Sequence, residues 1–152
     1  MRAYPAAVLW LFPLTYIAHL AEELWAGEGF PVWIARVRGT SMPLDTFLTL
    51  NGFGLALMIA GVVLSPRGPV FAWIPIAMAG IVLMNGLLHA LATIGMGVYS
   101  PGVVTGVLLW IPLGGYTLAR ARRVASPRTW RIGWMAAVGA HAVVSALAFL
   151  AP

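Results

Sequence analysis

Five apolar stretches, each about as long as a bilayer is thick, follow one another with only polar turns between them. A helix needs about 20 apolar residues to cross a hydrocarbon core of about 30 Å. The stretches run from about Tyr4 to Trp25, Leu44 to Leu64, Val70 to Ile94, Pro101 to Ala119 and Trp130 to Leu150. They occupy most of the 152 residues, so residues 1–152 read as one transmembrane helical domain. A backbone in hydrocarbon must satisfy its own hydrogen bonds. The expectation is therefore an all-α polytopic membrane protein, a bundle of about five helices. Only 9% of residues are charged and the mean hydropathy is +0.92. Soluble domains average about 25% charged residues, which places this chain outside their class.

The breaks have their own chemistry. Ser65-Pro66-Arg67-Gly68-Pro69 cannot continue a helix, because proline lacks the N–H donor and clashes with the preceding turn. Pro75 falls near the start of the third stretch, where proline is best tolerated. Ser100 suits an N-cap and Pro101 the first helical position of the fourth. In the Ala26–Pro43 loop, Phe30-Pro31-Val32-Trp33-Ile34 reads as an interfacial segment. Glu22 and Glu23 close the first stretch where a cleaved signal peptide would carry small residues, so it reads as a retained helix. The chain has no cysteine, which excludes disulfides, thiolate metal sites and cysteine nucleophiles.

All nine basic residues are arginine, and the net charge is +5. They form no long patch interleaved with aromatics, so no nucleic-acid partner is expected. Arg2, Arg67, Arg120, Arg122, Arg123, Arg128 and Arg131 fall on one side of a five-crossing chain, and Arg36 and Arg38 on the other. The excess of positive charge on the cytoplasmic side places the N-terminus inside and the C-terminus outside an integral cell membrane protein. The Ala26–Pro43 loop is then external.

Ionisable residues inside spans are costly and usually face a bundle interior. His19, Glu22 and Glu23 lie late in the first span, where spacings of three and four share a helix face. Asn85 and His89 lie late in the third, four apart. Tyr99-Ser100-Pro101-Gly102-Val103-Val104-Thr105 opens the fourth. At about 1.5 Å per residue, His19, Asn85 and His89 sit roughly 21, 22 and 28 Å from the cytoplasmic starts of their spans. Thr105 sits about 6 Å from the external start of its own. All belong to the outer half of the bilayer.

These three segments, HLAEE at 19–23, NGLLH at 85–89 and YSPGVVT at 99–105, resemble the motifs HxxEE, NxxxH and YxPGxxT of the HXXEE family of integral membrane proteins. The resemblance covers about residues 19–105. It implies a shared site and names no reaction.

Three chemistries fit these residues. In a metal site, His19, Glu22 or Glu23, and His89 would be ligands to zinc or iron, suiting a hydrolase or an oxygenase. The remaining glutamate would be a general base, so His19, Glu22 and Glu23 are the candidate catalytic groups. A ferritin-type diiron site would need more carboxylates. Metal-free acid–base catalysis, as in an isomerase or cyclase, would use two adjacent carboxyls that resist ionising together. A proton- or metal-coupled carrier would use the same groups as a relay. Asn85, Tyr99, Thr105 and His141 are candidates for orienting ligands or contacting substrate. Asp45, Thr49 and Asn51 lie at a similar depth. The tryptophans at 25, 33, 73, 110, 130 and 134 mostly suit interfaces and lipid. Gly52, Gly54 and Gly61 suit close helix approach. The setting favours a hydrophobic or lipid-like small molecule as substrate, with the bilayer as the main partner and homo-oligomers left open.

Overall fold

The computed structural model describes residues 6–150, all of whose regular structure is helical. The expected start of the first span at Tyr4, and Arg2, lie outside the described residues. Helix α1 spans Ala6–Trp25. Two short helices follow, α2 (Phe30–Trp33) and α3 (Ala35–Arg38), and then α4 (Leu44–Leu64). Two 3₁₀ turns, Ser65–Arg67 and Pro69–Phe71, lead into α5 (Ile74–Met96). The last two are α6 (Val103–Arg122) and α7 (Pro127–Leu150). Among the described residues, four helical segments, containing α4, α5, α6 and α7, are long and apolar enough to cross a membrane. Helix α1 has 20 residues and packs among them, its hydropathy diluted by the polar HLAEE run. The chain is an integral membrane bundle of about five helices.

Helix α5 is central, packing against α4, α6 and α7, while α1 packs on α4 and α6. The core between them holds Phe12, Met58, Ile76, Val82, Trp110 and Leu118. Lipid tails give helices no hydrophobic drive to associate, so close backbone approach has to supply the contact. A Cβ on Gly86 would lie 2.7 Å from the Gly106 carbonyl oxygen, so α5 and α6 touch backbone to backbone. Gly133 lets α7 sit against Ile76 and the Trp73 carbonyl in the same way. Gly54 and Gly61 do allow the expected close approach, whereas nothing lies within 4 Å of a Cβ on Gly52.

Several local expectations are corrected. The segment Phe30–Ile34 covers one end of the bundle, with Trp33 and Ile34 buried against Met42 and Phe47 and Val32 52% exposed. Trp33 and Trp110 are core residues at 4% and 2% exposure, while Trp25 is 80% exposed as expected of a lipid or interface contact. The third crossing segment runs Pro69–Met96, close to the expected start at Val70, and becomes regular α-helix at Ile74 after the 3₁₀ turn Pro69–Phe71. The fourth span begins at Val103, with Gly102 at its N-cap. There φ is +101°, a left-handed conformation that glycine adopts without a Cβ clash. Ser100 is turned away from the helix start and bonds elsewhere.

Helix α6 carries one irregularity, a π-turn over Gly106–Trp110 in which the Ile111 N–H donates to the Gly106 carbonyl. Pro112 explains it. It has no N–H for the Leu108 carbonyl, and its ring crowds that oxygen, so the turn widens by one residue. Arg38 donates to the Ala148 carbonyl at 2.6 Å, which brings the end of α7 to the same end of the bundle as α2 and α3. That placement agrees with an odd number of crossings.

Gly133→Val should lower stability by roughly 1–3 kcal/mol, the usual cost of overpacking. Gly139→Val, with nothing within 4 Å, is the control. Thermal unfolding in one detergent would measure both; equal melting of the two variants would contradict the tight α5–α7 contact.

A candidate metal centre at one end of the bundle

The three polar motifs meet at the bundle end covered by α2 and α3. His19 and Glu23 come from α1 and His89 from α5, and all three are buried. Their ligand atoms lie within 4.8 Å of one another. Glu23 Oε1 is 3.3 Å from His89 Nε2 and 3.5 Å from His19 Nε2. In a tetrahedral zinc site with bonds of about 2.0–2.1 Å, neighbouring ligand atoms are about 3.3 Å apart. The two nitrogens thus stand at ligand-edge distance from one carboxylate oxygen. This His/Glu/His cluster is capable of coordinating a divalent metal.

Hydrogen bonding fixes how the imidazoles face. Glu22 Oε2 accepts from the Thr105 N–H at 2.7 Å and from the Thr105 hydroxyl at 2.5 Å. Since the Thr105 hydroxyl proton points to Glu22, Oγ1 can only accept from His19. His19 Nδ1–H therefore donates to Thr105 Oγ1 at 2.7 Å. That leaves Nε2 facing Glu23, buried and without a hydrogen-bond partner. On the second imidazole, Nδ1 pairs with the Ser100 hydroxyl at 2.9 Å, again leaving Nε2 toward Glu23. A ring nitrogen held by an outer partner while the other faces the centre is how ligating histidines are usually oriented.

Three residues that sequence reasoning missed complete the shell. The Trp110 ring stacks on His19 at 3.7 Å. Thr105 and Trp110 are five residues apart, and on a regular α-helix they would point about 140° apart. The π-turn brings residues five apart onto one face, so both reach His19. Pro112 was the available sequence signal. A Cβ on Gly102 would lie 2.8 Å from His19 Cε1 and 2.9 Å from His89 Cε1, so any side chain there would push into both rings. Phe30 packs against His89, its ring 5.9 Å away, and roofs the site.

The other expected residues are placed as follows. Glu22 is not in the cluster: besides Thr105 it accepts from the Val104 N–H at 2.9 Å and the Tyr99 hydroxyl at 2.5 Å. With both oxygens hydrogen-bonded it grips the start of α6. Tyr99 thus points at Glu22 and not into the centre. Burial, together with the Glu22 carboxylate, pushes its phenol up to about 12, so it remains a donor at neutral pH. Asn85 and His141 are also outside the cluster; each has a buried atom without a partner, Oδ1 and Nε2 respectively. Asp45 Oδ1 accepts from the Thr46 N–H within its own helix start, and Asn51 accepts from the Tyr16 hydroxyl at 2.9 Å, so neither reaches the centre.

Thr105→Val should release the His19 Nδ1–H, whereas Thr105→Ser should keep it. ¹⁵N-imidazole spectra of protein without added metal would read this: one fixed tautomer for His19 in wild type and Thr105→Ser, a mixture in Thr105→Val. A mixture in wild type would contradict the chain of bonds through Thr105.

The comparisons agree with this arrangement. The family described as "Protein of unknown function with HXXEE motif" matches residues 10–117, which hold every residue of the cluster and its supports. The chain is similar to the uncharacterized protein YrkK of Bacillus subtilis (strain 168), 27% identical over 97 residues, 57% of this chain. The match covers 61% of that relative's length. No solved structure matches. The chain belongs to the HXXEE family.

Proposed function

We propose that this protein is a small membrane metalloenzyme acting on a hydrophobic or lipid-like substrate. The observation that carries this reading is the buried, partnerless His19 Nε2, aimed with His89 Nε2 at one oxygen of Glu23. In a site this dry, such an atom loses the solvation it would have had in water and needs a partner. His19, His89 and Glu23 would hold the metal. Two histidines and a carboxylate with an open position suit zinc, for a hydrolase, or ferrous iron, for an oxygenase. A bound metal would supply Lewis acidity toward a water or carbonyl oxygen.

The chain's own residues have separate duties in this reading. Glu22 and Thr105 hold His19 in its ligating tautomer, and Ser100 orients the His89 ring. Trp110, Phe30 and Gly102 keep bulk water from the imidazoles. Asn85 and His141, with unsatisfied buried atoms, are the groups left to meet a polar part of the substrate. Glu22 is too fully bonded to be a general base, which moves that duty away from the HLAEE carboxylates. In the arginine-based orientation the N-terminus is cytoplasmic and the centre lies in the outer half of the bilayer.

A second reading draws on the same distances. Glu23, within 3.5 Å of two imidazole nitrogens, could exchange a proton with them and act as an isomerase base without metal. The two readings separate cleanly. Purified protein should carry close to one zinc or iron per chain. His19→Ala, His89→Ala and Glu23→Gln should lose it, and Glu22→Gln should weaken it about 10–100-fold as an outer-shell change. At 100 times Kd, added metal should stabilise folded protein by about 2.7 kcal/mol. Folded wild type with no bound metal and no stabilisation by zinc or iron would end the metalloenzyme reading in favour of acid–base chemistry.

A further inference from the structure

A groove of about 360 Å³ runs along the seam between α1 and α6, and no residue of the His/Glu cluster lines it. Val8, Leu11 and Thr15 line it from α1, and Leu109, Pro112 and Tyr116 from α6. Its volume is within the range of small-molecule sites, about 300–1,000 Å³. It lies within the membrane-crossing part of α6, so hydrocarbon is the medium at its mouth. From Leu109 to Tyr116 the wall extends roughly 10 Å along the helix axis. The groove is thus elongated parallel to lipid chains.

The groove shares a wall with the centre. Thr15 Oγ1 accepts from Trp110 Nε1–H at 3.2 Å, and the same Trp110 ring stacks on His19. Thr15 and His19 are four apart on α1 and so share a face, one turn from each other. Beyond them the seam is closed by the Glu22–Thr105 bonds, with partly exposed Tyr99 beside it. The α1–α6 seam that holds the groove thus continues past its end to the Glu22–Thr105 contact, the level at which the polar end of a chain lying in the groove would sit.

The occupant is narrow. Leu108 lines the groove and is 67% exposed. A second transmembrane helix prefers small residues that let backbones approach. A bulky exposed leucine in the lining suits a single polymethylene chain better than a helix. We propose that the groove seats one acyl chain of a membrane lipid, its polar end lying at Glu22, Thr105 and Tyr99 beside the His/Glu centre. The assignment rests on the reading of that centre as one acting on a lipid-like substrate.

The test uses the full chain in phosphatidylcholine nanodiscs doped with a phosphatidylcholine that carries a diazirine in mid-chain. After irradiation, adducts are mapped by mass spectrometry. Leu11, Leu109 and Tyr116 should be labelled several-fold more than Leu57 and Met135, which are equally or more exposed elsewhere on the bundle. Leu109→Trp and, from the opposite wall, Leu11→Trp should bring groove labelling down to that background. Leu57→Trp should leave it unchanged. Melting temperature shows which variants are folded. Uniform labelling of all exposed positions, or groove labelling no higher than at Leu57 and Met135, would overturn the acyl seat. Metal content is read on the same samples. Selective labelling in protein that never holds metal would overturn the metalloenzyme reading and keep the groove as a lipid site; metal retained with uniform labelling would sink the groove alone.

Discussion

The Glu22 carboxylate is the contact on which the site depends. The first turn of any helix leaves N–H groups without intrahelical partners, and in hydrocarbon no water replaces them. Helix α6 starts inside the bundle, and Glu22 of α1 takes two of those donors, Val104 and Thr105. A negative group at a helix N-terminus also meets the positive end of the helix dipole. One side chain thus satisfies a helix end, joins two spans and, through the Thr105 hydroxyl, decides which nitrogen of His19 carries the proton. The same carboxylate receives Tyr99, which ties down the loop between α5 and α6. Removing it would disturb the loop, the helix start and the imidazole together.

Packing gives that contact its consequences. Gly86 and Gly106 bring α5 and α6 together at backbone distance, and Gly102 leaves room for both histidine rings against the loop. A Cβ at any of these positions would separate elements whose polar groups must stay within hydrogen-bond range. The π-turn adds the second half. It costs α6 some regular hydrogen bonding, and in return places Thr105 under His19 and Trp110 against its face. π-turns occur often at functional sites for this reason: one extra residue re-aims side chains that a regular helix would scatter.

Much of this was legible in the sequence. The apolar lengths gave the bundle, and the spacing of HLAEE, NGLLH and YSPGVVT brought three spans to one level. The identity of the cluster residues His19, Glu23 and His89 was among the expectations, but the division between the two glutamates was not. Adjacent residues on a helix point about 100° apart, so both could not face one centre. Which of them did so depended on how α1 is rotated, and that is set by packing across the bundle. The placement of Trp110 was hidden for a different reason. A regular period turns it away from Thr105, and only the displaced hydrogen bond before Pro112 brings it back. Ser100 reads as a helix cap from its local sequence, yet the tertiary contact with His89 and the left-handed Gly102 override that preference.

Charge supports the proposal of a metal at the centre. Glu23 is buried among apolar residues, and the arginines of the described chain lie in the helix-end regions and connecting segments. A carboxylate in such a place costs several kcal/mol unless a positive group faces it. The groups that face it are two imidazoles, one of which has Nδ1–H committed to Thr105. In the proposed reading, a divalent metal held by His19, His89 and Glu23 would supply that positive charge. Glu22 favours such an occupant, since through Thr105 it fixes the His19 tautomer whose Nε2 faces inward. The two glutamates of HLAEE are thus coupled: the outer one prepares the nitrogen, and the inner one supplies the charge that something must balance.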